Sequence, residues 1–136
     1  MVYTAALIDG EGSVLLSHAK PAEHRSPVVT VPSTTWCFMT FLKSTFGGNI
    51  SSKKRTKKHH SKSWNWSVRY NRAIDVLRRV LPYMKHPEKR RRARLIVEQF
   101  KLVTKRSGRY TVPEAKKKAK FERLFLSRST RTHVND

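Results

Sequence analysis

Two acidic residues separated by a glycine end a short apolar segment near the start of the chain. Residues 4–12 read Thr-Ala-Ala-Leu-Ile-Asp-Gly-Glu-Gly, in which Asp9 and Glu11 are the two carboxylates. If the segment is helical, both lie at the negative end of the helix dipole, where a compensating cation is favoured. Hard oxygen ligands suit Mg²⁺, so Glu11 is a candidate ligand of a divalent metal ion. The alternative is a surface carboxylate at a helix end.

Small residues surround these acids. Ala5 and Ala6 allow a neighbouring helix to approach closely, while Gly10 and Gly12 allow the chain to turn sharply into a strand. The segment therefore predicts a helix that contacts another helix and ends in a tight turn.

The charge of the chain indicates its class of partner. Thirty Lys and Arg against nine Asp and Glu give a formal charge of +21, which is strong self-repulsion in a small fold. Nucleic acid is the favoured partner, because neutralising phosphates releases condensed counterions. A membrane surface is the weaker alternative, since no segment has the 18 or more apolar residues that span a bilayer. Ribosomal and chromatin proteins share this charge, so charge alone identifies no activity.

Length and cysteine content limit the architecture. A chain of 136 residues is long enough for one domain with a hydrophobic core and too short for two ordinary domains. The single Cys37 excludes an internal disulfide and is interpreted as a buried, inert thiol. Met1 leads almost directly into the first patterned segment without a signal peptide, so we expect an intracellular protein, in the cytoplasm, the nucleoid or an organelle.

The middle of the chain contains no Asp or Glu from residue 24 to residue 74. The β-branched run 28–31 predicts a strand, and apolar residues at helical spacing predict a helix over 34–46. Gly47 and Gly48 end that helix, and residues 49–55 form a short extended segment. The apolar residues that predict the helix are Trp36, Met39, Phe41 and Leu42.

Residues 64–70 alternate between apolar and polar types and predict a strand with one apolar face. Trp64, Trp66, Val68 and Tyr70 form the apolar face, and the two tryptophans are interpreted as core residues rather than as stacking platforms for single strands. Asn65, Ser67 and Arg69 form the polar face.

Three helices are predicted after this strand. Asn71 is expected to cap the first, which ends at Pro82-Tyr83, and the second begins near Pro87. The second should bury Ala93, Leu95, Ile96, Val97, Phe100 and Leu102. An interruption at 107–108 precedes a basic helix over 113–126, loosely docked by Phe121, Leu124 and Phe125.

The first segment resembles the motif of the LAGLIDADG homing endonucleases. Its matching residues are Ala5, Leu7, Ile8, Asp9, Gly12 and, conservatively, Glu11 for the final acid. Further resemblances follow in Ser13-Val14, Phe46-Gly47-Gly48, the tryptophan-containing strand and Leu81-Pro82-Tyr83, and the similarity covers roughly residues 2–104. The resemblance implies an α+β fold of αββαββα order, with a curved antiparallel four-stranded sheet that binds DNA.

The same resemblance implies a metal-dependent endodeoxyribonuclease. A chain with one motif copy would act as a homodimer on a long, partly palindromic duplex, with Mg²⁺ or Mn²⁺ as cofactor. Glu11, helped by the carbonyl of Gly10, would hold the metal, while Asp9 would be structural together with Ala5, Ala6 and Gly12. The endonuclease domain would span residues 1–106, and residues 107–136 would be a basic extension.

The chain departs from the family pattern at three places. Thr4 stands where leucine is usual, and Ala6 replaces the usual glycine. Two additional residues between Pro82 and Ala93 leave two candidates for the active-site lysine, Lys89 and the competing Lys85. A simple phosphate-binding role for Lys89, within a run with its neighbouring arginines, is the alternative to catalysis.

The two predicted hairpins suit the major groove, which admits a pair of strands. Side chains on the polar faces would contact bases, and those of a basic connection would contact phosphates, although a solvated loop is the alternative for the latter. The predicted base contacts are Ser51, Lys53, Arg55, Asn65, Ser67 and Arg69, and the predicted phosphate contacts are Lys57, Lys58, Lys62, Arg90, Arg91 and Arg92.

Other functions remain in competition at this point. A cleavage-inactive intron maturase that binds intron RNA would have the same fold and charge, and a small ribosome-associated protein would leave the motif a coincidence. A zinc site at His59-His60 is rejected, since the spacing fits no standard ligand pattern.

Overall fold

The chain alternates single helices with pairs of strands. The computed structural model describes residues 1–18, 24–53, 62–105 and 108–127. A 3₁₀ turn (Leu81–Tyr83) precedes α4, and a π-helical turn (Ile96–Phe100) joins α4 to α5. The predicted αββαββα order is confirmed. The elements are α1 (Val2–Glu11), β1 (Ser13–Ser17), β2 (Ser26–Ser33), α2 (Trp36–Phe46), β3 (Asn49–Lys53), β4 (Ser63–Arg69), α3 (Asn71–Val80), α4 (Pro87–Leu95), α5 (Lys101–Val103) and α6 (Val112–Leu126).

The four strands form one antiparallel sheet in the order β1-β2-β4-β3. Each hairpin pairs consecutive strands, and β2 pairs with β4 at the centre of the sheet. The register sets Val14 opposite Val29, and Val29 opposite Val68. Because side chains alternate along each strand, this row of valines defines the face that is covered by helices, and the intervening residues define the outer face.

The hydrophobic core lies between the helices and the covered face of the sheet. Val29, Val31, Trp66 and Val68 are buried in one cluster with residues of α1, α2, α3 and α4. The prediction that Trp66 is a core residue is confirmed, while Trp64 at the edge is only partly buried. The helical members of the cluster include Ala5, Ile8, Met39, Leu42, Ile74, Leu77, Ala93, Ile96 and Phe100.

The turn from β4 into α3 is made by Tyr70. This residue has a φ of +50°, a conformation that is unfavourable for a side chain other than glycine. Its ring packs edge-on against Phe100 with 5.5 Å between centroids, which compensates for the backbone conformation. Tyr70 is the N-cap residue and Asn71 the first residue of α3, so the predicted cap at Asn71 was wrong by one position.

Helix α6 belongs to the same core. Phe121 and Phe125 are buried in the common cluster, so this helix packs firmly rather than loosely. Its N-terminus has a capping box in which Thr111 and Glu114 satisfy each other's backbone groups. No helix in the described ranges is both long and apolar enough to cross a membrane.

Several predictions of burial were wrong. Cys37 is exposed, because α2 turns Met39 and Leu42 rather than Cys37 toward the core. Trp36 and Phe41 are likewise on the exposed side of α2. Leu102 is 84% exposed, because the π-helical turn has more residues per turn than an α-helix and rotates the residues that follow it. Leu124, on α6, also faces solvent.

Candidate active site and nucleic-acid interface

The C-terminal end of α1 is fastened by a lysine from α4. The Nζ of Lys89 donates hydrogen bonds to the carbonyl oxygens of Ile8, at 3.1 Å, and Asp9, at 2.8 Å. A helix end carries partial negative charge on such carbonyl groups, so an ammonium group stabilises it. Lys89 is itself placed at the start of α4, where its backbone N–H donates to Nδ1 of His86. The ammonium group therefore lies beside the motif acids.

Asp9 connects the same helix end to the loop before α4. Its Oδ2 accepts a hydrogen bond of 2.6 Å from the backbone N–H of Lys85, and its Oδ1 is buried without a partner in the described part of the chain. Lys85 thus contributes a backbone group to this contact, whereas Lys89 contributes its charge. This geometry gives Asp9 a structural contact and distinguishes the two candidate lysines.

Glu11 and Gly10 are both exposed at this helix end. An added Cβ at Gly10 would meet nothing within 4 Å, so this side of the helix end is open. The described residues contain no group of three or more His, Cys, Asp or Glu that could hold a metal ion. Mg²⁺, however, commonly binds through one or two carboxylates together with water and phosphate oxygens. The exposed carboxylate of Glu11 is therefore of the ligand type that such a site uses.

Gly12 has a different role from Gly10. A Cβ at Gly12 would lie 2.8 Å from the Cα of Ile8 and 2.9 Å from the carbonyl oxygen of Thr30. The backbone N–H of Gly12 also donates to the carbonyl oxygens of Leu7 and Ile8. Glycine is required here because α1 passes directly into β1 against the neighbouring strand.

The outer face of the sheet presents polar side chains next to this helix end. The register aligns Ser13, Thr30, Ser67 and Asn49 in one row across all four strands. A second row contains Pro32, Asn65 and Ser51, and a third contains Leu15, Val28 and the exposed Arg69. The four strands contain no Asp or Glu, so nothing on this face repels an anion.

The predicted base-contacting residues fall into two groups. Ser51, Asn65, Ser67 and Arg69 share the outer face, whereas Arg55 and the side chain of Lys53 lie outside what the structure describes. Sequence reasoning missed Ser13, Thr30 and Asn49. Asn49 is two residues from Ser51 in β3 and so lies on the same face, which means that alternation along the strand was enough to assign it to the outer face. Thr30 lies within an apolar run in which both faces look alike, and it carries no such signal.

The predicted phosphate contacts also divide. Lys57 and Lys58 lie outside the described residues, and the Nζ of Lys62 stands 5.8 Å from the ring centroid of Trp64. Arg90 is exposed on α4, where it lines a groove with Lys85 and Arg94.

Arg91 lines the same groove but is half-buried, and its guanidinium is engaged in contacts within the fold. It donates to both carboxylate oxygens of Glu88 and to the carbonyl oxygens of Leu124, Phe125 and Ser127 at the end of α6. Hydrogen bonding from the Arg91 guanidinium lowers the pKa of Glu88 below its ordinary value. Arg91 therefore anchors the end of α6, and its contact with phosphate stays a prediction.

Arg92 is similarly occupied. It donates to Glu88 at 3.3 Å and to the carbonyl oxygen of Val14 at 3.2 Å, and its guanidinium lies 5.3 Å from the ring centroid of Phe125. These contacts join α4 to β1 and α6. The predicted phosphate contact of Arg92 likewise stays a prediction.

Solved structures share this architecture. The chain aligns with the homing endonuclease I-CvuI, solved in complex with the I-CreI target in the presence of Mg with the DNA not cleaved, at a TM-score of 0.59 and 17% identity, covering 96% of this chain and 84% of that one. It aligns with the LAGLIDADG homing endonuclease I-GzeII, in complex with its DNA target, at a TM-score of 0.65 and 17% identity, covering 94% and 44%. No protein-family model and no curated protein matches the sequence.

A third neighbour is the LAGLIDADG homing endonuclease I-SmaMI bound to cleaved DNA, with a TM-score of 0.53 and 17% identity over 88% of this chain and 41% of that one. The matched part is therefore less than half of the I-GzeII and I-SmaMI chains and most of the I-CvuI chain. Together these similarities show the fold of the chain.

Proposed function

From a chain with the fold of the LAGLIDADG homing endonucleases, we infer a site-specific DNA endonuclease that cuts both strands of a long, partly palindromic duplex as a metal-dependent homodimer. The observation that carries this proposal is the end of α1. There Glu11 is exposed, the ammonium of Lys89 bonds the carbonyl oxygen of Asp9, and Ser13, two residues after Glu11, begins the outer face of the sheet. Acid, cation and an anion-tolerant surface are what phosphodiester hydrolysis on a duplex requires.

The outer face of the sheet is the proposed DNA-binding surface. The major groove admits a two-stranded ribbon, and this face offers two hairpins side by side. Asn65 and Arg69 carry the side-chain types that pair with adenine and guanine edges, while the hydroxyls of Ser51 and Ser67 suit several bases. The formal charge of +21 supplies the attraction to phosphate that is independent of sequence.

The exposed side of α1 supports a homodimer. Val2, Tyr3, Ala6 and Gly10 are exposed on it, whereas Thr4, Ala5 and Ile8 are buried in the chain's own core. Ala6 and Gly10 are small although nothing in the described fold needs them to be, since a Cβ at Gly10 would meet no atom within 4 Å. Packing this side against its copy around a two-fold axis would bring two Glu11 side chains together.

Glu11 and the carbonyl oxygen of Gly10 are the proposed ligands of Mg²⁺ or Mn²⁺. When bound there, a divalent ion would supply activation of a water molecule and neutralisation of phosphate charge. In each copy of the chain, the Glu11 side chain would orient the attacking water and the scissile phosphate. Two of the three N–H groups of the Lys89 ammonium are used by α1, which leaves one to donate to a phosphate or leaving oxygen.

The first experiment is cleavage of a randomised duplex library by the purified protein, with Mg²⁺, Mn²⁺ and Ca²⁺ in separate reactions, followed by sequencing of the cut ends. We expect recurrent cuts at one partly palindromic site with Mg²⁺ and none with Ca²⁺. A recurrent site without two-fold symmetry would overturn the homodimer, and absence of cuts with Mg²⁺ and Mn²⁺ would overturn the nuclease.

A single substitution then tests the assignment of the acid. We expect Glu11→Gln to lower the cleavage rate about a hundredfold or more, because the charge that serves the transition state is lost, while duplex affinity stays within about twofold. Glu98→Gln is the matched control, since Glu98 is also an exposed acid but lies on the π-helical turn. Cleavage by Glu11→Gln at the wild-type rate would show that the site is elsewhere.

A further inference from the structure

A groove on the helix-covered side of the sheet combines aromatic and basic side chains. It lies between α2 and the β3 edge, has a volume of about 530 Å³, and is lined by Trp36, Lys43, Ile50, Ser52 and Trp64 among others. Trp64 and Ser52 are directly paired in the register. Their side chains lie on the face of the sheet opposite to Asn65 and Ser51. The groove therefore opens on the opposite face from the proposed DNA-binding surface.

Of the two tryptophans in the groove, Trp36 has its ring exposed to solvent and available for stacking. Trp36 and Trp64 lie 5.0 Å apart between centroids at a tilt of 59°, which is too close for a base to fit between them. Trp64 is half-buried and has the ammonium of Lys62 above its ring. Trp36 keeps 48% of its surface exposed. A large aromatic surface is thus presented to solvent beside a ring that is already supported.

Charge in and around the groove favours an anionic occupant. Trp36, Thr40, Lys43 and Ser44 recur at helical spacing along one side of α2, so Lys43 stands two turns from Trp36. Lys62 flanks the other ring, and residues 24–74 contain no Asp or Glu. Aromatic platforms combined with basic side chains are the means by which proteins bind single-stranded nucleic acid.

We propose that this groove binds a single strand of nucleic acid, with an unpaired base stacked on Trp36 and the adjoining phosphate paired with Lys43. The activity goes beyond duplex cleavage and does not depend on it, because the groove and the outer face lie on opposite sides of the sheet. Sequence reasoning assigned Trp64 to the core and had no reason to join it to Trp36.

Fluorescence titration of the full chain tests the proposal. The probes are unstructured oligonucleotides of about ten nucleotides, oligouridine as RNA and oligothymidine as DNA. Comparing the two distinguishes binding of RNA from binding of single-stranded DNA. Trp66 is buried and donates its indole N–H to the carbonyl oxygen of Gly47, so quenching reports on the groove tryptophans. We expect quenching by at least one probe that persists when excess random duplex is added. Complete displacement by duplex would place the strand on the outer face and overturn the proposal.

Substitutions separate the two surfaces. We expect Trp36→Ala to weaken oligonucleotide binding about tenfold, with recovery in Trp36→Phe, because stacking on a ring is lost and then restored. Duplex binding should stay unchanged. Arg69→Ala should do the reverse, since Arg69 belongs to the outer face.

Lys43→Ala should reduce the slope of log affinity against log salt concentration by the amount expected for the loss of about one phosphate contact. The matched control is Lys101→Ala, which removes an exposed lysine outside the groove. Equal binding by wild type, Trp36→Ala and Lys43→Ala would overturn the proposal, as would a Trp36→Ala variant that loses self-association while keeping the oligonucleotide. These binding experiments do not depend on cleavage. If Glu11→Gln still cut DNA, the proposed function would fail, but the results for the groove would stand.

Discussion

Polar side chains have different partners at the α4–α6 junction and on the outer face of the sheet. At the junction, Arg91 bonds three carbonyl oxygens of the α6 end. Nearer the start of α6, the buried Lys118 donates to the hydroxyl of Thr104, just after α5, at 2.5 Å. On the outer face, Ser51 and Arg69 are exposed, and no acid in the four strands neutralises them. One region uses its charges to fold, whereas the other leaves them exposed to solvent.

Basic composition alone therefore does not identify a binding surface. The run from Lys89 to Arg94 has five cationic residues in six positions. Lys89 fastens α1, Arg91 and Arg92 fasten α6, and only Arg90 and Arg94 are exposed. Pairing, rather than the number of charges, decides which residues remain for phosphate.

The two glycines of the motif give the largest expected contrast between a residue that the fold needs and one that it does not. We expect Gly12→Ala to lower the free energy of unfolding by about 3 kcal/mol, since its Cβ would press on the backbone of Ile8 and Thr30. At a protein concentration low enough for the chain to be monomeric, Gly10→Ala should instead raise it by roughly 0.5–1 kcal/mol, because alanine favours the helix and has space within the single chain. Urea denaturation of both variants measures the difference. Equal stabilities would mean that the helix end does not pack as described.

Two neighbouring arginines sharpen the comparison. Arg91→Ala should lower the free energy of unfolding by about 2 kcal/mol, because three carbonyl groups and Glu88 lose a charged donor. Arg90→Ala should leave stability within about 0.5 kcal/mol, since Arg90 is exposed, and should weaken duplex binding with a smaller salt slope. Thermal unfolding and salt titrations measure these effects. The reverse pattern would exchange the roles assigned to the two residues.

The buried Lys118 gives the smallest expected effect, a pH dependence of stability. Burial lowers the pKa of Lys118 from 10.5 to about 8, although the charge of nearby Glu122 acts in the opposite direction. Between these two values the unfolded chain holds one more proton than the folded chain, so the free energy of unfolding rises with pH. The rise due to this group should be about 1 kcal/mol from pH 7 to pH 9.

Lys118→Met should remove that rise, and Lys117→Met, at an exposed position on the same helix, should keep it. Denaturation at several pH values compares the two variants. A rise of the same size in both would show that the general loss of positive charge, and not Lys118, causes it.

The order of helices and strands was predictable because it depends on local spacing. Alternation along residues 64–69 and the helical recurrence of Ala73, Ile74 and Leu77 each report which side of an element is buried. The same reasoning failed at Cys37 and Leu102. Both lie on helices whose rotation is set by tertiary packing or by the π-helical turn, which a regular period does not describe.

The candidate site was predictable only in part. Asp9, Gly10 and Glu11 are contiguous, and their resemblance to a known motif identified them. The preference for Lys89 over Lys85 required the structure, because it depends on a hydrogen bond between residues 80 positions apart. The row of Ser13, Thr30, Ser67 and Asn49 likewise exists only through the strand register.

The sequence by itself determined the element order, the acidic motif and the attraction to polyanions, since each depends on residue types at short separation or on their sum. Tertiary structure decided which arginines are held inside the fold, which polar residues share the outer face, and that Trp36 and Trp64 meet in one groove. The physical reason is that hydrogen bonds and ring contacts act over a few ångströms, so their partners are fixed by the packing of distant segments rather than by spacing along the chain.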